Sequence, residues 1–138
     1  MAALDELIQR HPRLFRGEFP AIASWVPEGW PPLVEELLHD IEALLDDKQA
    51  ARLEIRQIKE KFGSLRVYAQ LHPGPGATEL SEADAPLHQH VIRLVHEAEK
   101  CTLHVCDACG APSEIRSFAG WMTTRCDRCL AQRSPGSR

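Results

Sequence analysis

Four of the five cysteines stand in two Cys-x-x-Cys pairs, Cys106-Asp-Ala-Cys109-Gly110 and Cys126-Asp-Arg-Cys129, with sixteen residues between them. A two-residue spacer lets both sulfurs of a pair turn toward one point, and two pairs supply four thiolates, the donor set of a closed tetrahedral zinc site. Sixteen residues suffice for a short β excursion and return, so the spacing predicts a zinc ribbon over 101–130. One structural Zn2+ is expected on Cys106, Cys109, Cys126 and Cys129. Gly110 suits the tight turn after a ligand pair, where backbone amides point back at the sulfurs. Four protein ligands leave no open position, so this metal is expected to fold the chain and not to activate water.

Other uses of the cysteines fit less well. A redox Cys-x-x-Cys opens a helix within a βαβ pattern, and none precedes Cys106. Disulfides need export. The Met-Ala-Ala-Leu-Asp-Glu-Leu start lacks the basic residues and apolar run of a signal peptide, and no stretch approaches bilayer length. The expectation is a cytoplasmic protein whose thiols stay reduced. Cys101 is expected to pack as a small apolar residue, and His104 to belong to the turn that leads into the ribbon.

The remainder reads as an α+β core over 1–100, with 131–138 as a disordered tail. Residues 3–11 suit a short helix ended by Pro12, and residues 12–32, rich in Pro, Gly and aromatics, an ordered loop. Pro31-Pro32 fits the first turn of a helix, where a missing amide donor costs nothing. Val34, Leu37, Leu38, Ile41, Leu44 and Leu45 recur at helical spacing, predicting a long helix near 32–47 with Glu35, Glu36, Asp40, Glu42 and Asp46 largely on its other face. From Leu53 to Leu71 the period becomes two, and Leu65, Val67, Ala69 and Leu71 alternate with polar residues. Ile58 breaks the phase of the first strand and marks a bulge. Lys61-Phe62-Gly63-Ser64 supplies the hairpin turn, with Gly63 free to take positive φ. A second amphipathic helix near 85–100 carries Leu87, Val91, Leu94, Val95 and Ala98. The fold class is therefore α+β: a small hairpin packed with two or three helices, plus the ribbon.

Charge is unevenly spread: residues 1–50 hold 10 acids and 4 bases, residues 51–100 hold 7 and 7, and residues 101–138 hold 3 and 5. Nucleic-acid binders gain most of their affinity from a dense basic face, and here the most biased part is acidic. Signs of catalysis are absent too. The chain has no Gly-x-Ser-x-Gly, P-loop or His-Glu-x-x-His. It has no asparagine at all, which removes the central residue of the His-Asn-His nucleases. His88 and His90, two apart on a helix, face different ways.

Taken in order, Pro27-Glu-Gly29-Trp30, Gln57-Ile-Lys59-Glu60-Lys61-Phe62-Gly63-Ser-Leu65-Arg66-Val-Tyr68, Cys106-Asp-Ala-Cys109-Gly110 and Gly120-Trp121-Met-Thr-Thr-Arg-Cys126-Asp-Arg-Cys129 resemble a family of small bacterial and phage proteins. That family carries a Gly-Trp motif, a Lys-Glu-Lys-Phe-Gly hairpin and a C-terminal four-cysteine zinc ribbon. The resemblance spans about residues 12–130. Where the family has Gly-Asp-Gly-Trp, this chain has Pro27-Glu28-Gly29-Trp30. The resemblance implies one α+β unit with a ribbon and brings no activity with it.

The expectation is a non-enzymatic, zinc-containing binding protein with a protein partner, specifically an immunity protein that neutralises a bacterial toxin. Two contact surfaces are open. One is the acidic helix face of Glu35, Glu36, Asp40, Glu42 and Asp46, suited to a toxin's basic groove. The other is the hairpin turn of Lys59, Lys61, Phe62 and Arg66, which reads either as a basic-aromatic contact or as a tip with Phe62 tucked inward and its charges solvated. Trp30 and Trp121 suit core packing. The competing function is a nucleic-acid-binding or transcription-associated ribbon using Arg116, Arg125, Arg128 and Arg133.

Overall fold

The computed structural model describes residues 2–15 and 25–132, with side chains from residue 4 onward. Helix α1 (Ala2–Gln9) is followed by a short helix α2 (Pro12–Phe15), so Pro12 opens a helix where it was expected only to end one. A proline at a first helical position loses nothing, because that amide has no partner in the helix. The expected loop over 12–32 thus shrinks at both ends, and residues 16–24 and the tail at 133–138 lie outside the described residues.

Helix α3 (Pro31–Leu44) has both prolines in its first turn and buries Val34, Leu37, Leu38 and Ile41. It stops three residues short of the expected end. Leu45 turns to extended backbone and is buried, and the Asp46 side chain accepts from the Gln49 amide (2.8 Å) to start a new helix, α4 (Asp47–Ala51). Gln49 returns the bond to the Asp46 amide (2.9 Å), a reciprocal capping box that outcompetes continuation of α3.

Strands β1 (Leu53–Lys61) and β2 (Ser64–Leu71) form the antiparallel hairpin, with a register shift between Ile55 and Gln57 that is the expected bulge. Phe62 and Gly63 make a two-residue turn with φ of 54° and 86°. Two consecutive positive φ values match the right-handed twist of the strands. Two strands alone are marginal, and the neighbouring elements cover their free edges. On β2, the Leu65 amide donates to Thr102 Oγ1 (3.0 Å) and the Val67 amide to Glu99 Oε2 (3.1 Å). On β1, the Trp25 amide donates to the Ile58 carbonyl (3.1 Å).

Helix α5 (Asp84–Thr102) packs on β2 and against α3, enclosing a core that includes Leu38, Ile41, Ile58, Leu65, Val91 and Val95. Its first residue, Asp84, is buried and accepts from Arg52 (2.8 Å) and Gln49 (3.0 Å), tying the α4–β1 junction to α5. The C-terminal part carries a second small antiparallel hairpin, β3 (Arg116–Phe118) and β4 (Trp121–Thr123), and a short helix α6 (Asp127–Ala131). No helix among the described residues is long and apolar enough to cross a membrane.

Candidate metal centre

The two Cys-x-x-Cys pairs sit on different local structures. Around the first pair the chain folds back: the Cys106 amide donates to the Ala111 carbonyl (2.8 Å) and the Gly110 amide to the Cys106 carbonyl (3.0 Å). Gly110 closes this knuckle at φ 81°, as its position after the second cysteine implied. In the second pair, Cys126 is the N-cap residue of α6, so the peptide that carries Cys129 is a helical turn. The hairpin β3–β4 is the excursion between the pairs.

The four sulfurs all lie within 4.8 Å of one another, and Cys109 Sγ is 3.8 Å from Cys126 Sγ. A tetrahedron with metal–sulfur bonds of about 2.3 Å has edges of about 3.8 Å. The spacing therefore fits one metal ion on Cys106, Cys109, Cys126 and Cys129.

The backbone prepares the ligands for ionisation. Burial pushes the Cys106 thiol up, but the amides of Cys109 (3.4 Å), Cys126 (3.3 Å) and Ala108 (3.4 Å) donate to its sulfur and together hold it at about 6. The Ala111 amide lowers Cys109 in the same way. Cys129 is pushed up to about 12, first by its hydrogen bond with Cys126, then by burial and by the neighbouring sulfurs. The negative charge that burdens the last thiol is what a bound cation removes. Arg128 lies against Cys109, whose sulfur raises the guanidinium further, and it offsets part of the excess charge of four thiolates on a divalent ion.

A second set of polar contacts ties the centre to the hairpin. Asp107 accepts from Thr123 Oγ1 (2.9 Å) and from Arg125 Nε (3.1 Å), while Asp127 accepts from Arg116 (2.7 Å). Each aspartate follows the first cysteine of its pair and reaches an arginine of the intervening segment. The repeated Cys-Asp was visible in the sequence, but it takes the folded hairpin to show which arginine each one meets.

The centre is seated on the core at Gly29-Trp30. Gly29 donates from its amide to the Asp107 carbonyl (2.9 Å), and a Cβ there would lie 2.1 Å from the Cys106 oxygen. Trp30, fully buried, donates from Nε1 to the Val105 carbonyl (3.1 Å). Gly63 at the hairpin tip touches the ribbon as well: a Cβ there would lie 2.5 Å from Ile115 Cδ1 and 3.1 Å from the Met122 backbone. The Gly-Trp, Phe-Gly and cysteine motifs, far apart in sequence, meet at one junction.

Several expectations change. Phe62 is 72% exposed, with Lys61 Nζ 5.5 Å from its ring centre, so it is not tucked inward: a β-hairpin tip this close to the ribbon backbone has no pocket for the ring. Lys59 lies 5.7 Å from the Tyr68 ring centre and pairs across the strands with an exposed Arg66. Trp121 is half exposed, because the short ribbon hairpin has too little mass to bury it. Cys101 is exposed on α5, not packed. His104 stands in the turn after α5, as expected, and bonds Glu114 (2.7 Å) outside the cysteine cluster.

The acidic face also divides. Glu35 accepts from His11 Nε2 (2.9 Å), Glu42 contacts His11 Nδ1 and lies 3.6 Å from Arg13, and Asp46 caps α4. Glu35 and Glu42 tie α3 to His11 and Arg13 of the α1–α2 region, and Asp46 is used in starting α4. Glu36 and Asp40 stay exposed, and no described residue is hydrogen-bonded or ion-paired to them. No family model, curated protein or solved structure matches this chain.

Proposed function

We propose that this chain is a non-enzymatic binding protein whose ribbon is held by one structural zinc ion, and that its partner is a protein. The observation that carries the reading is where the exposed large apolar side chains of the described residues lie. Trp25, Phe62, Tyr68, Phe118, Trp121 and Met122 are on the two hairpins or, for Trp25, bridged to β1 at Lys59. None is on a helix, and the tip at Gly63 joins the two hairpins into one region. Exposed apolar area of this kind, rimmed by Lys59, Lys61 and Arg66, has the make-up of a protein contact surface. A closed set of four thiolates supports a structural metal and no catalysis. Four tetrahedral thiolates suit zinc or iron; we propose zinc, the usual metal of closed structural four-cysteine sites, and absorption spectra with metal analysis check the choice directly.

The specific form of this reading is an immunity protein that neutralises a toxin, supported by the acidic balance of residues 1–50 and by a sequence without a recognised catalytic motif. The test is a pull-down from the native host with wild type and with Phe62→Ser/Trp121→Ser, followed by protection of cells expressing the recovered toxin. The variant should stay folded and metal-loaded while losing both the partner and the protection. Full protection by it would overturn the proposal. A second reading rests on the lysines placed over aromatic rings, a pattern that also suits stacking of single-stranded nucleic acid. Steeply salt-dependent binding of mixed single strands would favour it.

A further inference from the structure

The start of α3 lies against the end of α5, fixed by the Trp30–Val105 bond, and the two helices leave an open groove of about 190 Å3 between them. Leu33, Leu37, Leu94 and Ala98 give it an apolar floor. Glu36 and Asp40 on one side and Glu97 on the other form its rim, with Cys101 at the edge of the lining. The lining runs over eight residues of each helix, from Leu33 to Asp40 and from Leu94 to Cys101, and the seven steps between first and last, at 1.5 Å each, make about 10 Å, or two helical turns.

The fold accounts for Glu35, Glu42 and Asp46, which are engaged by His11, Arg13 and the α4 cap. It leaves Glu36, Asp40 and Glu97 exposed and unpaired among the described residues. The α5 cations Arg93 and Lys100 are not among the lining residues. An apolar strip two turns long, edged on both sides by carboxylates alone, is complementary to a helix with an apolar stripe flanked by lysine or arginine. We infer that the α3–α5 groove is a docking site for a basic amphipathic helix of a partner protein. Two turns admit anchors at i, i+3 or i+4, and i+7. The groove is separate from the hairpin platform, so either surface can fail its test without the other.

The experiment uses the full, metal-loaded chain and a synthetic leucine–lysine peptide of about 15 residues with leucines at i, i+3, i+4 and i+7. The readout is alkylation of Cys101 by iodoacetamide, since the other four cysteines are the metal ligands. Bound peptide should slow Cys101 alkylation by about fivefold or more, while a scrambled peptide of equal composition, which has the charge but no apolar stripe, should not. Glu36→Lys/Asp40→Lys should weaken the peptide by about tenfold or more, and Glu79→Lys/Glu82→Lys, with the same change in net charge away from the groove, should leave it unchanged. Circular dichroism and metal content establish that both variants are folded. Equal protection by the scrambled peptide, or equal loss in the two variants, would reduce the effect to long-range attraction and overturn the assignment. Lack of protection by the patterned peptide would overturn it as well.

Discussion

Replacing Gly29 by alanine tests how the ribbon is seated. The added Cβ would lie 2.1 Å from the Cys106 oxygen, 2.8 Å from the Gly110 nitrogen and 2.9 Å from the Asp107 carbonyl carbon. All three are backbone atoms of the metal knuckle, so no side chain can swing aside. Restoring ordinary contact needs a retreat of roughly 1 Å or more, which also breaks the Gly29–Asp107 hydrogen bond (2.9 Å). Forced overpacking costs about 1–3 kcal/mol and the lost bond about 1 kcal/mol. Against this, alanine reduces the entropy of the unfolded chain by about 0.4–1 kcal/mol. The steric side wins by about 2–3 kcal/mol, which for a domain of this size lowers the thermal midpoint by roughly 10 °C. Unfolding of the metal-loaded protein should show that drop, and a chelator should strip the metal faster. Gly74→Ala, where a Cβ meets no atom within 4 Å, is the matched control. A Gly29→Ala protein with the wild-type midpoint and the wild-type rate of metal release would refute the seating argument.

Three further outcomes are expected. Metal analysis should find about one zinc per chain; Cys109→Ser or Cys126→Ser should lose it and unfold the C-terminal third, whereas Cys101→Ala should retain it. Arg52 and then Gln49 hold the Asp84 carboxyl below its ordinary value, so its stabilising contribution is present above the unfolded carboxyl value and is lost as pH falls through the folded one. Asp84→Asn should therefore destabilise by about 2 kcal/mol near neutrality, with the gap from wild type closing below about pH 4 in thermal scans. His11→Ala leaves the carboxylates of Glu35 and Glu42 facing each other without the imidazole, and should cost about 1–3 kcal/mol in denaturant unfolding while leaving the metal in place.

The sequence carried the metal centre further than the surface around it, and the reasons are physical. Ligand geometry is local: two residues between sulfurs, a glycine after the second, and a span long enough for a hairpin leave few arrangements. The Cys-x-x-Cys pairs, the bulge before Ile58 and the Phe62-Gly63 turn were legible because each depends on neighbours a few residues away. Helix α3 ended early because the capping box of Asp46 and Gln49 was a competitor that apolar spacing does not register. The free surface was the least legible part. Glu35, Glu36, Asp40 and Glu42 look alike on a helical face, but His11 and Arg13, more than twenty residues upstream, decide which are consumed by the fold. The same long-range selection explains Phe62 and Trp121. Aromatic side chains suit a core or an interface equally well; the close approach of Gly63 to the ribbon backbone leaves Phe62 outside, and the short ribbon hairpin has too little mass to bury Trp121. A binding surface in a protein of this size is therefore defined by what packing leaves over. Glu36, Asp40 and Glu97, unpaired among the described residues, and the exposed rings around Gly63 form that remainder.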